Sequence, residues 1–153
     1  MAKKPKSVGS EKLLFNRRKQ FDEPGLFHDN YQTPDYIQEN LKDALRPYQH
    51  GALRYLHYTQ RKRDDALRHY RHLLFHMATG AGKTMVMAGT ILYLFKELGY
   101  QNFIFFVHTD AIIQKTRENL LNPQSPKYLF SQELEIDGEK ITIEPIETFP
   151  SIP

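Results

Sequence analysis

LLFHMATGAGKTMVMAGTILYLF, residues 73–95, carries most of the structural information in this chain. The stretch opens on a short apolar run, Leu73 to Met77, which suits a strand buried on both faces. A turn of small residues follows, Ala78 to Gly82, and then Thr84 to Leu98 reads as a helix. Met85, Val86, Met87, Ala88, Ile91, Leu92, Tyr93, Leu94 and Phe95 make that helix apolar nearly all round, which predicts burial, and Gly99 is placed to end it.

The turn has the chemistry of a phosphate cradle. Backbone amides at Thr79, Gly80, Ala81 and Gly82 can crowd round a phosphate only because small side chains let the backbone come close. Lys83 supplies a point charge for the β and γ phosphates, and the Thr84 hydroxyl can ligate magnesium. The helix behind them directs its positive end at the triphosphate. Against the general pattern G-x-x-x-x-G-K-[ST] the first glycine is missing, because Met77 stands there. The alternative is a chance glycine-rich turn between strand and helix; the contiguous Gly82-Lys83-Thr84 argues against it.

Working outward, Phe103 to Val107 reads as a second buried strand, and Ile112, Ile113, Thr116 and Leu120 as a helical face stopping before Asn122 and Pro123. Strand, loop, helix, strand, helix predicts an α/β fold with a right-handed parallel βαβ core. Leu134 and Ile136 alternate up to Asp137 and Gly138, and Ile141 and Ile143 alternate after them, which signals a C-terminal β-hairpin. On the other side, Thr33 as cap, Pro34 as first helical residue and Ile37, Leu41 and Leu45 at helical spacing predict a short amphipathic helix. Pro47 begins another, with Tyr48, Ala52, Tyr55, Leu56 and Thr59 on one stripe, running into the charged connection RKRDDALRHYRH, residues 61–72. Residues 1–20 are basic and without period and read as a flexible arm, so the folded region is expected over 33–153.

Composition sets wide bounds. The 153 residues carry a formal net charge of +3, 40% are hydrophobic, and none is cysteine, which excludes disulfides and thiolate metal sites. The longest apolar runs fall far short of the roughly 20 residues a membrane span needs. A cytoplasmic protein without a membrane partner is expected.

Three motifs in register give the loop a family context. A-T-G-A-G-K-T, residues 78–84, resembles motif I of superfamily-two helicases and translocases, whose loop commonly lacks the first glycine. L-R-P-Y-Q at Leu45 to Gln49 resembles the adenine-recognising element that precedes it, and V-H-T-D-A-I-I-Q-K-T at Val107 to Thr116 resembles motif Ia, with His108 in place of the usual proline. Residues 40–145 as a whole resemble the R, or motor, subunit of restriction endonucleases, the type III kind more than type I, because no Glu-x-Lys follows Pro34-Asp35 as a type I nuclease requires. The resemblance implies a RecA-like lobe that binds ATP with magnesium. It implies base selection by Gln49, whose paired donor and acceptor suit adenine, and DNA phosphate contacts at Thr109 and Gln114. Asp110 is acidic where a DNA groove would favour the opposite charge, and its expected role is a helix cap. Double-stranded DNA and a methyltransferase modification subunit are the implied partners.

What the family needs for hydrolysis is a second acidic box holding the magnesium and the attacking water. Asp22 and Glu23 run into Pro24-Gly25, and Asp137 falls in the hairpin turn, so none is expected to end a buried strand. The chain therefore reads as an N-terminal fragment, truncated before that motif, of a larger motor whose remainder holds the other lobe and any nuclease. Two other readings keep the same loop. One is a small P-loop module or kinase with Asp110 as its acidic partner; the other is a non-catalytic piece whose buried-type helix needs the missing lobe to cover it.

Overall fold

The computed structural model describes residues 31–61, 73–107 and 109–146. The basic arm and most of the charged 61–72 connection lie outside them. Residues from Gln32 onward belong to one unit, with elements in the order α1 (Asp35–Glu39), α2 (Pro47–Arg61), α3 (Lys83–Leu98), α4 (Asp110–Leu120), β1 (Leu134–Ile136) and β2 (Glu139–Ile141). No helix among the described residues is long and apolar enough to cross a membrane.

Helix α3 is the centre of the packing. Val86, Ala88, Leu92 and Tyr93 are buried on it, as expected from its composition. Gly99 ends it in the left-handed region at φ 69°, where its amide and that of Tyr100 bond back to Phe95 and Leu94. Against α3 lies α2, and the two approach closely because position 89 is glycine. A Cβ there would sit 3.2 Å from Leu53 Cδ1 and 3.5 Å from Ile37 Cγ2. Leu53 and Ile37 are fully buried at that contact, each stabilising the fold by roughly 1.5–3 kcal/mol. His57 Nδ1 lies 3.1 Å from the buried Tyr93 hydroxyl and ties the same two helices.

The face of α2 is offset from the expected one. Its buried stripe is Gln49, Leu53 and Leu56, whereas Tyr48 is exposed. A polar Gln49 in a core stripe breaks the hydrophobic pattern, and its reason lies in the loop described below.

The first helix is shorter than its spacing suggests. It ends after Glu39, Pro34 occupies the cap position without a side-chain cap, and the Thr33 hydroxyl turns instead to His50 Nδ1 at 2.7 Å. Leu41 and Leu45 are buried, but from outside the helix: Leu41 forms an antiparallel bridge with Phe130. Beside it the buried Asn40 side chain acts as a strand rung, donating to Glu135 O and accepting from Glu135 N, both at 2.7 Å. Both amide atoms of Asn40 are thereby used, and the helix is broken to use them.

The hairpin follows the sequence reading. Leu134 pairs with Ile141 and Ile136 with Glu139 across a two-residue turn, with Asp137 at φ 58° and Gly138 at φ 79°. Those signs are what a type I′ turn demands. Leu134 and Ile136 face the core, and Lys96 of α3 pairs with Asp137 at the turn.

The parallel βαβ core expected from the sequence is not formed among the described residues. Among the described residues, 73–77 and 103–107 pair with no strand, and the one sheet is the antiparallel hairpin. Leu73, Phe75 and Phe103 nevertheless pack on the helical core, while Leu74 is 87% exposed and Phe106 92%. A parallel strand is stable only with neighbours that satisfy its ladder and cover both faces, and neither segment has them here. Helix α4 shares that exposure: its Leu120 end is buried, but Ile112 is 37% exposed.

Candidate nucleotide site

Residues 78–82 turn sharply between the extended segment and α3. The Ala81 amide bonds Ala78 O at 3.2 Å, and Gly80 and Gly82 take φ values of 78° and 74°. Only glycine adopts these at little cost. Met77, where the general motif has another glycine, has no such requirement: among the described residues Asp137 is the one non-glycine with positive φ. The missing first glycine therefore leaves the turn intact.

Gly82 caps α3, and its carbonyl accepts from Met85 and Val86. The first helical amides, at Lys83 and Thr84, have no intrahelical acceptor and carry the positive end of the helix dipole. Lys83 is exposed, with Nζ 3.0 Å from both Met77 O and Ala78 O, so its ammonium lies across the loop. Thr79 and Gly80 are exposed beside it, Ala81 and Thr84 half-buried. Donors and one cation thus converge on one small surface.

Gln49 braces this loop from behind. Its Oε1 accepts the Arg46 amide at 2.8 Å, the reach-back of a capping box at the start of α2, where Pro47 holds the first helical position. Its Nε2 donates to Ala81 O at 3.3 Å and Gly82 O at 3.4 Å. The side chain is 4% exposed. These contacts account for a polar residue in the buried stripe, with a partner more than thirty residues away. Tyr48, which the sequence reading placed on the apolar stripe and gave no role at the site, sends its hydroxyl to Ala81 O at 3.1 Å. Its position beside Gln49 in Arg46-Pro47-Tyr48-Gln49 was the available signal.

The other site residues lie on α4. Thr109 caps that helix, its Oγ1 accepting from the Ile112 amide at 3.4 Å. Asp110, expected as the cap, is instead the first helical residue, where its charge complements the helix dipole. Gln114 is exposed on the same helix. His108 lies outside the described residues. Asp137 sits in the hairpin turn paired with Lys96, as far as its chemistry goes a structural acid. Among the described residues no three acidic or histidine side chains gather to hold a metal.

A loop turned by glycines, closed on a helix N-terminus and headed by lysine defines a P-loop. Comparison with known proteins makes the class specific. The family model for the type III restriction enzyme res subunit matches residues 42–148. The chain is 38% identical over 155 residues to the probable type III restriction-modification enzyme HindVIP Res subunit of Haemophilus influenzae, a match spanning 96% of this chain and 30% of that protein. No solved structure matches. The chain belongs to the type III restriction enzyme res subunit family. That membership agrees with an α/β, helicase-type P-loop fold, of which the structure displays the helices and the loop without the parallel sheet.

Proposed function

We propose that this chain is the ATP-binding segment of a DNA-translocating restriction subunit. The observation that carries the proposal is the loop itself: two left-handed glycines, the α3 N-terminus and the Lys83 ammonium on one surface, in a chain of the res subunit family. Thr79 to Gly82 would present amides to the phosphates. Lys83 would leave its two carbonyls for the β and γ oxygens, a far stronger partner for an ammonium. Thr84, at the second helical position, would ligate magnesium alongside phosphate oxygens and water. When bound, the ion neutralises charge on the triphosphate. Gln49 is the candidate for reading adenine through the second lone pair of its Oε1, since the first is taken by the Arg46 amide and the Nε2 protons go to Ala81 O and Gly82 O.

Hydrolysis, DNA movement and cleavage belong in this proposal to the longer protein, since the chain spans 30% of the length of the relative it matches. Thr109 and Gln114 are assigned to sequence-independent contacts with double-stranded DNA phosphates, and a modification subunit is the expected protein partner.

Titrating the chain with magnesium ATP, followed through the Gly80 and Gly82 amide resonances, tests the nucleotide reading. Saturable shifts that weaken tenfold or more in Lys83→Ala are expected, from loss of a charge-assisted contact of about 1.5–3 kcal/mol. Equal affinity in the variant would sink the assignment.

A further inference from the structure

Two side chains of the turn at the start of α2 reach the phosphate loop, and the reading above uses one of them, for the base. We propose that Tyr48 is a positioning residue for the phosphate loop: together with Gln49 it fixes the Ala81–Gly82 peptide so that the loop's amides face the triphosphate, whatever base is attached. The inference rests on the nucleotide reading of the loop and adds to it a determinant of phosphate affinity.

The geometry is specific. Ala81 O receives the Tyr48 hydroxyl at 3.1 Å and Gln49 Nε2 at 3.3 Å, which occupies both of its lone pairs. In a planar trans peptide the N–H points opposite to the C=O. Holding Ala81 O towards α2 therefore turns the Gly82 amide away from α2, to the open side of the loop. The bond Gln49 Nε2 makes to Gly82 O acts in the same way on the Lys83 amide. Restraint is needed because a flip of this peptide changes ψ of Ala81 and φ of Gly82, and glycine resists that change least. Arg46 strengthens the restraint: its Nη1 donates to the Tyr48 oxygen at 3.3 Å, and a hydroxyl that accepts from a cation is a better donor. Tyr48 is 47% exposed, so the hydroxyl can be removed without opening the core.

The test uses Tyr48→Phe in the full chain, with magnesium tripolyphosphate and magnesium ATP as separate ligands and the Gly80 and Gly82 amide resonances as reporters. Binding of both ligands is expected to weaken by a similar factor, about fivefold, the worth of one hydrogen bond. The unfolding midpoint should stay unchanged, and the Gly82 amide should shift before any ligand is added. Unchanged affinity for tripolyphosphate overturns the inference, and so does a loss confined to ATP, which would put Tyr48 on the base. A wild-type chain that binds neither ligand overturns the nucleotide reading, and this one with it. A wild type that binds both isolates the question to Tyr48.

Discussion

Replacing Gly82 by alanine tests the brace between α2 and the loop more severely than any change on α2 itself. Gly82 sits at φ 74°, and a Cβ there would fall 2.4 Å from Gln49 Nε2. Two terms add. Left-handed backbone costs an alanine about 1–2 kcal/mol. The amide end of Gln49 can swing aside, but it then gives up its donation to Ala81 O and Gly82 O inside a buried site, a further loss of roughly 1–2 kcal/mol. Gly80→Ala is the control, because Gly80 has φ 78° and nothing within 4 Å of its Cβ position. The backbone term alone applies there. Urea unfolding followed by circular dichroism should therefore place Gly82→Ala about 2–4 kcal/mol below wild type and Gly80→Ala about 1–2 below, with the same m value. In a Gln49→Ala background the Gly82→Ala penalty should fall to that of Gly80→Ala, a coupling of about 1–2 kcal/mol. Equal penalties for the two glycines, or an unchanged Gly82→Ala penalty without Gln49, would refute the brace.

Two further outcomes follow from the core. Asn40→Ala removes the buried side chain that both donates to and accepts from the Glu135 backbone, and should lower stability by about 1–3 kcal/mol, the worth of two hydrogen bonds, in the same assay; a loss under about 0.5 kcal/mol would mean water replaces it. Burial pushes the Tyr128 phenol above its usual pKa. The folded state then holds its proton to higher pH than the unfolded one, so this contribution is complete below about pH 10 and is lost as pH rises beyond it. Tyr128→Phe should flatten the alkaline fall in stability, and an identical fall in the variant would remove Tyr128 as its cause.

The parts of the fold legible from sequence are those fixed by near neighbours. Gly82 and Gly99 bracket α3 because each supplies a left-handed residue at a helix end, and Asp137 with Gly138 specifies the hairpin turn unaided. What misled was spacing whose cause is distant. Ile37, Leu41 and Leu45 look helical, yet Leu41 is buried by Phe130 and Asn40 by Glu135, partners about ninety residues on. The same holds for Gln49, polar in a core stripe because the loop backbone receives it. The strands at 73–77 and 103–107 were read from apolar content, which specifies a wish for burial but not who provides it. At the candidate site, the glycine turn and Lys83 at the head of α3 were legible from seven contiguous residues; the brace from Tyr48 was not, since no spacing rule links a helix start to a loop in space.

The clasp between Asn40 and Glu135 also sets an order of events. Its two ends are 95 residues apart, and joining distant points costs chain entropy that shorter closures avoid. During synthesis α2, the phosphate loop and α3 are made before residue 135, and their mutual contacts are nearer in sequence. The nucleotide loop can thus settle early, while Leu41 and Leu45 wait uncovered for the segment that contains Phe130 and the hairpin. The last-made strands of this unit close over the segment that follows its first helix, and until they do Leu41 and Leu45 are exposed apolar surface of the kind chaperones bind.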